Sequence, residues 1–358
     1  MSHTLNINNL PTLTWNRLKI NSTPFSTDAV FSGDGSPHTT ELPEGVEYRE
    51  RFSAAQYADL ETGCGKELGA HFFNNAEASL FTAKKGRHIK MPLVIDFDLR
   101  DKSATSAFQI IKAEEGASVT VIMRCRSPKN AGGTQILRTI CDAEKNAFIH
   151  LVKVQLLGDG FVQVDDIGTT CADGGRVELT HVILGGKETY TGAAGTLPAF
   201  GGSFKADTAY LCRAEQKLDM NYVARQIGKK TDCQMSAKGT LRDRAAKTYR
   251  GSIDFINGCA GSTGNEYEEV LLLSPDVVNK SIPLILCGEE DIAGEHGSTI
   301  GKLGEDTLFY MQSRGIGKPE VEKLMVRAKV SSVASLIPDE STVELINTYM
   351  DEAFPSDE

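Results

Sequence analysis

The chain has 358 residues, with 38 Lys and Arg against 48 Asp and Glu and a net charge of −10. That is about two domains' worth of sequence, enough to bury a core without disulfide or metal staples. The acidic balance argues against a general nucleic-acid binder, and 40% hydrophobic with 24% charged residues describes an ordinary soluble protein. The unusual features are 34 Gly, a single Trp and eight Cys.

Residues Met1 to Leu10 lack the basic cluster and apolar run of a secretory signal. The most apolar stretch, Val270 to Cys287, is interrupted by Pro275, Asp276, Asn279, Lys280 and Pro283 and does not read as a membrane span. The cysteines, at 64, 125, 141, 171, 212, 233, 259 and 287, are scattered without a CxxC pair. They fit neither a disulfide scaffold nor a zinc site and are expected to be mostly buried small hydrophobes. A cytoplasmic protein is expected.

Residues 1–75 mix short apolar clusters with turn residues: Pro11, Pro24, Gly33-Asp34-Gly35, Pro37 and Pro43. Arg51 to Leu68 reads as a helix through Phe52, Ala55, Tyr57 and Leu60, so an α-rich N-terminal region is expected. From about residue 77 short β-rich segments follow one another: Leu93–Leu99, Phe108–Ile111, Val119–Cys125, Gln135–Cys141, Phe148–Leu157, Val162–Thr170 and Val177–Leu184. Turn clusters such as Glu114-Glu115-Gly116, Gly158-Asp159-Gly160 and Gly185-Gly186-Lys187 separate them. Val177, Leu179, His181 and Ile183 alternate with polar residues, as one face of a strand does. A sandwich or propeller would fit, but near-regular turns over almost 200 residues suit a solenoid whose coils bury their faces on one another.

After Arg314-Gly315-Ile316-Gly317 the pattern turns helical. Val321, Leu324, Met325 and Ala328 form an apolar stripe at i, i+3, i+4 and i+7, and Pro319 suits a first turn. Pro338 stops that helix, and Ser341 with Glu344 reads as a capping box for a second one. This hairpin would cap the solenoid or offer an apolar face to a partner.

Most chemical motifs fail. Gly63-Cys64-Gly65-Lys66 lacks the first Gly and the hydroxyl residue of a phosphate loop, so a turn before a short helix is expected. Gly258, Gly261 and Gly264 precede no helix and read as a corner. Asp165 and Asp166, adjacent on a strand, point to opposite faces and cannot converge on one ion. Lys238, Arg242, Arg244, Lys247 and Arg250 read as a solvated strand face, and His150 and His181 as satisfied strand histidines. His296, in Glu295-His296-Gly297-Ser298-Thr299 behind the acidic Glu289-Glu290-Asp291, is the best candidate ligand or proton carrier.

Several segments together resemble a known family. These are Arg250-Gly251-Ser252-Ile253, Glu268 to Ser274, Ser281-Ile282-Pro283, Glu295 to Gly301, and Leu308 to Ile316. In order and spacing they resemble the C-terminal half of the SufB/SufD scaffolds of iron–sulfur cluster assembly. Asn74-Asn75-Ala76, Met91-Pro92-Leu93 and Pro11-Thr12-Leu13-Thr14-Trp15 are similar more loosely. The resemblance implies a mainly β protein: a right-handed parallel β-helix over 76–312, between an N-terminal α-rich region, 1–75, and a C-terminal helical region, 313–358. It also implies pairing through the β-helix with a SufB-like or identical subunit. A SufC-type ABC ATPase would dock on the C-terminal region, with Arg314, Val321, Leu324, Met325 and Ala328 as contact residues.

The cysteine proposed for cluster assembly in SufB-like members falls at Val277 here. SufD-like members carry Cys-Ser-His-Gly-Ala-Thr where this chain has Gly294-Glu295-His296-Gly297-Ser298-Thr299, so the SufD branch is favoured. The resemblance makes His296 a transient iron ligand, with Glu295 as a second ligand or an orienting group. It implies no catalytic residue and no stably bound cofactor, only a transient iron–sulfur cluster at the subunit interface. The competing reading is a ligand-binding or carbohydrate-active β-solenoid enzyme, which requires several carboxylates at coil spacing in one groove.

Overall fold

The computed structural model describes residues 4–14, 16–31, 37–39 and 41–354. Trp15 and the Gly33-Asp34-Gly35 turn lie outside the described residues. The chain enters as a short hairpin, β1 (Leu5–Ile7) with β2 (Thr23–Phe25), and continues through β3 (His38–Thr39) and β4 (Val46–Ser53). A helix, α1 (Lys66–Phe72), precedes β5 (Glu77–Ala83) and β6 (Leu93–Asp98).

Fourteen longer strands follow: β7 (Ser103–Ala113), β8 (Ser118–Arg126), β9 (Gly132–Ala143), β10 (Phe148–Leu156), β11 (Gly160–Cys171), β12 (Arg176–Ile183) and β13 (Glu188–Leu197). The second seven are β14 (Ser203–Cys212), β15 (Lys217–Gln226), β16 (Asp232–Leu241), β17 (Ala246–Phe255), β18 (Ser262–Leu272), β19 (Val278–Cys287) and β20 (Ile292–Lys302). Even-numbered strands from β6 to β20 form one parallel sheet and odd-numbered strands from β5 to β19 the other. Each coil contributes one strand to each sheet, which makes the core a parallel β-solenoid of about eight turns.

The coils stack because their corners recur. Gly86, Gly116, Asn146, Gly174, Gly201, Lys230 and Gly261 all adopt positive φ, at intervals of 27 to 31 residues. That conformation favours Gly and tolerates Asn, which accounts for part of the glycine excess. Side chains from one coil also satisfy the backbone of its neighbour: Lys85 N–H donates to Glu114 Oε2 at 2.9 Å and Glu115 N–H to Glu144 Oε2 at 3.0 Å. The lumen is filled by inward residues such as Leu93, Val121, Ile149, Leu179, Phe204 and Met235, in one continuous core.

Both outer faces are covered. Leu5, Ile7, Phe25, Cys64 and Leu68 pack over the odd-numbered sheet. The α-rich expectation for this region does not hold: Arg51–Ser53 belongs to β4, a single 3-10 turn spans Ala55–Tyr57, and α1 is short. Tyr57 donates to Asp142 Oδ2 at 2.8 Å, and Phe52, Tyr57 and Leu60 lie against the sheet, so long-range packing overrides the weak helical period.

At the other end, α2 (Glu305–Ser313), α3 (Lys318–Ala334) and α4 (Glu340–Ala353) follow the last coil. Helix thus begins at Glu305, ahead of the boundary read at 313. Helices α3 and α4 pack against the flank of the even-numbered sheet, through Val326, Val330, Val333, Ile346 and Met350 on Ile122, Val152, Val182 and Ala209, and do not cap its end. Of the expected apolar stripe Val321 is buried, Met325 is half-buried, and Leu324 and Ala328 face solvent. The α4 cap is Asp339, whose side chain accepts from Thr342 N–H at 2.7 Å and from Ser341 Oγ, so Ser341 is a partner of the cap.

One buried ion pair ties the N-terminal segment to the late coils. Arg250, 1% exposed, donates to Asp219 Oδ1 at 2.7 Å, Ile20 O at 2.7 Å and Thr23 Oγ1 at 3.0 Å. Asn8 and Thr23 also donate to Asp219. Asp219→Ala strands that guanidinium in a buried site and is expected to lower unfolding stability by about 3–5 kcal/mol in denaturant titrations. A loss below about 1 kcal/mol would show that the pair does not hold the segment in place.

Candidate functional site at the open end of the solenoid

The two ends of the solenoid differ. At the first, β3 and β4 run antiparallel to β6 and β5 and terminate the stack. At the second, β19 and β20 are the last strands of their sheets, bonded on one side to β17 and β18. Among the described residues no strand pairs with their outer edges. Residues of β17 are nearly all buried, whereas those of β19 and β20 are half-buried or exposed.

Register shows which side chains look into this mouth. His296 lies opposite Glu266 and Ser298 opposite Glu268, both buried lumen residues of β18. Gly294, on the same face of β20, sits against Phe255 and Ile285. His296 therefore projects toward the solenoid axis and is exposed because no further coil covers it. Glu295, in register with Asn265, points the other way. The two neighbours cannot serve one ion within a single chain, which corrects their pairing in the sequence reading. Val277, at the place of the SufB-like cysteine, is half-buried against the lumen core.

Cys287 is the exposed cysteine; the other seven are buried. It shares a face of β19 with Ile285 and Ser281, toward the lumen, at the far end of the strand. Burial pushes the Cys125, Cys141 and Cys171 thiols up to about 12, so they are inert core residues. Among the described residues no three His, Cys, Asp or Glu side chains stand together as a ready metal set.

Directly behind the mouth lies a charged cluster the sequence reading missed. Lys247 and Arg250 are buried, not solvated; three residues apart on a strand, they point to opposite faces, Arg250 outward under the N-terminal segment and Lys247 inward. Lys247 pairs with Glu268 Oε1 and donates to Ser281 Oγ on β19 at 3.2 Å. Glu266 sits beside this pair, facing Gly251, where a Cβ would come within 2.1 Å of Glu266 Oε1. Burial and the neighbouring Glu268 raise the Glu266 carboxyl to about 8. The legible signal was Glu266 and Glu268 at alternate positions of β18, in phase with the lumen residue Val270.

Deeper in the lumen Lys153 pairs with Asp165, whose other oxygen is 3.6 Å from His181 Nε2. His181 Nδ1 is 3.2 Å from the Tyr222 hydroxyl, which accepts from Thr208 at 3.0 Å. Burial and Lys153 lower His181 to about 3, so the ring is neutral. Asp166 faces outward, bound to Arg138 and to the Cys64 backbone N–H. The adjacent aspartates do serve opposite faces.

Residues 99–329 match the family described as "SUF system FeS cluster assembly, SufBD core domain". The chain belongs to the SufBD family. It is 24% identical to the iron–sulfur cluster assembly protein SufD of Bacillus subtilis, over 64% of this chain and 53% of that protein. A SufBD family protein of Staphylococcus saprophyticus is 24% identical over 66% of this chain and 51% of its own length. SufB of Bacillus subtilis is 22% identical over 75% and 58%. The chain thus spans about half the length of these SufBD relatives.

Two outcomes follow for this SufBD chain. The folded Glu266 carboxyl, at about 8, lies above its ordinary 4.5, so the folded state holds a proton that the unfolded state releases. Its favourable contribution is complete below 4.5 and is lost as pH rises through 8. Melting scans should show this loss, and Glu266→Gln should flatten it; an unchanged slope in the variant would assign it elsewhere. A thiol reagent applied to the native chain should modify Cys287 alone, with the rest reacting on unfolding. Rapid labelling of several thiols in the folded state would contradict the buried placement.

Proposed function

We propose that the chain is a non-catalytic scaffold subunit of an iron–sulfur cluster assembly complex, in the SufD-like role. The observation that carries this reading is the open terminal coil, where two strand edges, unpaired among the described residues, flank an exposed lumen histidine. Exposed strand edges take up partner strands through main-chain hydrogen bonds. A SufB-like or identical subunit would pair there and bring its own ligands to His296. The His296 imidazole supplies a nitrogen suited to iron, and a cluster assembled there is cargo, passed on rather than kept.

A SufC-type ATPase would dock on the C-terminal helices. Phe309 and Tyr310 of α2 are 75% and 57% exposed, the Arg314 guanidinium lies 5.4 Å from the Tyr310 ring, and Leu324 adds an exposed apolar side chain on α3. Such aromatic and Arg groups anchor interfaces. Val321 is an internal anchor of α3. Lys329 of α3 binds Glu269 of β18 at 2.5 Å, so nucleotide-driven movement of the helices would load the strand next to β20. The cytoplasm, where such an ATPase meets ATP, is the expected compartment.

Purification of the tagged chain from its native cell should recover a SufC-type ATPase and a second scaffold or a second copy. His296→Ala should lower cluster loading of that complex at least tenfold while leaving its composition intact. Recovery of neither ATPase nor scaffold sinks the reading, and unchanged loading removes His296 from the mechanism.

A further inference from the structure

The chamber around Lys247 holds more oxygen than its one ammonium can satisfy. Glu266 and Glu268 are 4% and 2% exposed, and Oε2 of each is buried without a hydrogen-bond partner. The Tyr210 hydroxyl, on a residue 1% exposed, is likewise unpartnered, and the buried Tyr249 hydroxyl stands beside Glu266. Their rings lie 6.0 and 5.7 Å from Lys247 Nζ, so they belong to the same chamber. On the mouth side Asn279, in register with Lys247, has a buried Oδ1 without a partner as well.

Orphaned buried oxygens carry a desolvation cost that native proteins normally relieve with a partner, an ordered water or an ion. Here they are spread over β14, β17, β18 and β19 around Lys247, behind the mouth. Glu266 and Glu268 set two carboxyl groups against one ammonium, and an entering cation can take the place of the Glu266 proton, so the chamber suits a cation better than an anion. The donors are oxygens, the set preferred by Mg²⁺- and Mn²⁺-type ions. Such ions are often held by one or two carboxylates and complete their shell with water, so a third protein ligand is not required.

We propose that this chamber binds one divalent metal ion through Glu266 and Glu268, with the Lys247 ammonium standing in for its charge when the ion is absent. The tyrosine hydroxyls and Asn279 Oδ1 would receive hydrogen bonds from its water shell. Entry is by way of the open coil, past Ser281 and His296. The site lies one coil inside His296 and does not rest on the scaffold reading, since it needs neither a second subunit nor a cluster.

The test uses the full purified chain, stripped of metal, titrated with Mn(II) alone and followed by the electron paramagnetic resonance of free Mn(II). One Mn(II) per chain is expected. Glu266→Gln and Glu268→Gln should each weaken binding at least about tenfold, the scale of perturbed metal-site groups. Lys247→Gln, which removes the competing ammonium, should tighten binding, whereas general damage to the fold would weaken it. If Glu268→Gln fails to fold, Glu266→Gln decides the matter, because Glu266 lies outside the lysine ion pair. No Mn(II) binding by the native chain, or equal binding by the native chain and Glu266→Gln, overturns the proposal and leaves the chamber to water.

Discussion

In-register stacking of parallel coils is the constraint on which the rest of this molecule depends. A coil satisfies its backbone only if the next one presents N–H and C=O groups at the same height, over every residue of the strand. The corners therefore recur at near-constant spacing, and inward and outward residues stay in phase across the solenoid. A stack built this way always has two ends to resolve. The first is resolved by the antiparallel β3 and β4. At the second, no strand among the described residues covers β19 and β20, and the exposed histidine and the charged chamber lie there.

Stacking also creates two chemically separate sides of one wall. Asp165 and Asp166 are neighbours in sequence, yet one shares the lumen with Lys153 and the other holds Arg138 beneath the N-terminal segment. Lys247 and Arg250 divide in the same manner. In each case the buried charge has its partner on the same side, because an unpaired one would cost several kcal/mol. The chamber behind the mouth departs from this one-to-one pairing, with two carboxyl groups beside one ammonium.

The β-solenoid was legible because alternation and turn spacing are local signals that survive in a single sequence. The family was legible through the ordered motifs from Arg250 to Ile316. The N-terminal region was not, since Phe52, Tyr57 and Leu60 take their conformation from a sheet formed later in the chain. The basic stretch from Lys238 to Arg250 misled for a related reason: hydropathy treats a charged residue as solvated, and only register reveals which partner lies one coil away. Asp339 was passed over as a cap because Ser341 and Glu344 match the more familiar pattern, although Asp339 immediately precedes the helix. His296 and Glu295 were paired by proximity in sequence, which a strand reverses in space.

The clasp of Arg250 on Ile20, Thr23 and Asp219 has a consequence for synthesis. Asn8 meets Asp219 across 211 residues and Ile20 meets Arg250 across 230. On the ribosome, Asn8, Ile20 and Thr23 emerge long before Asp219 and Arg250 exist. Early coils can zip onto one another as they appear, but the clasp of the N-terminal hairpin on Asp219 and Arg250 must wait until most of the chain has been made. Contacts of such long range slow folding and lengthen the period in which apolar residues such as Leu5, Ile7 and Phe25 are open to wrong partners. Closing of this clasp is thus a late step in maturation.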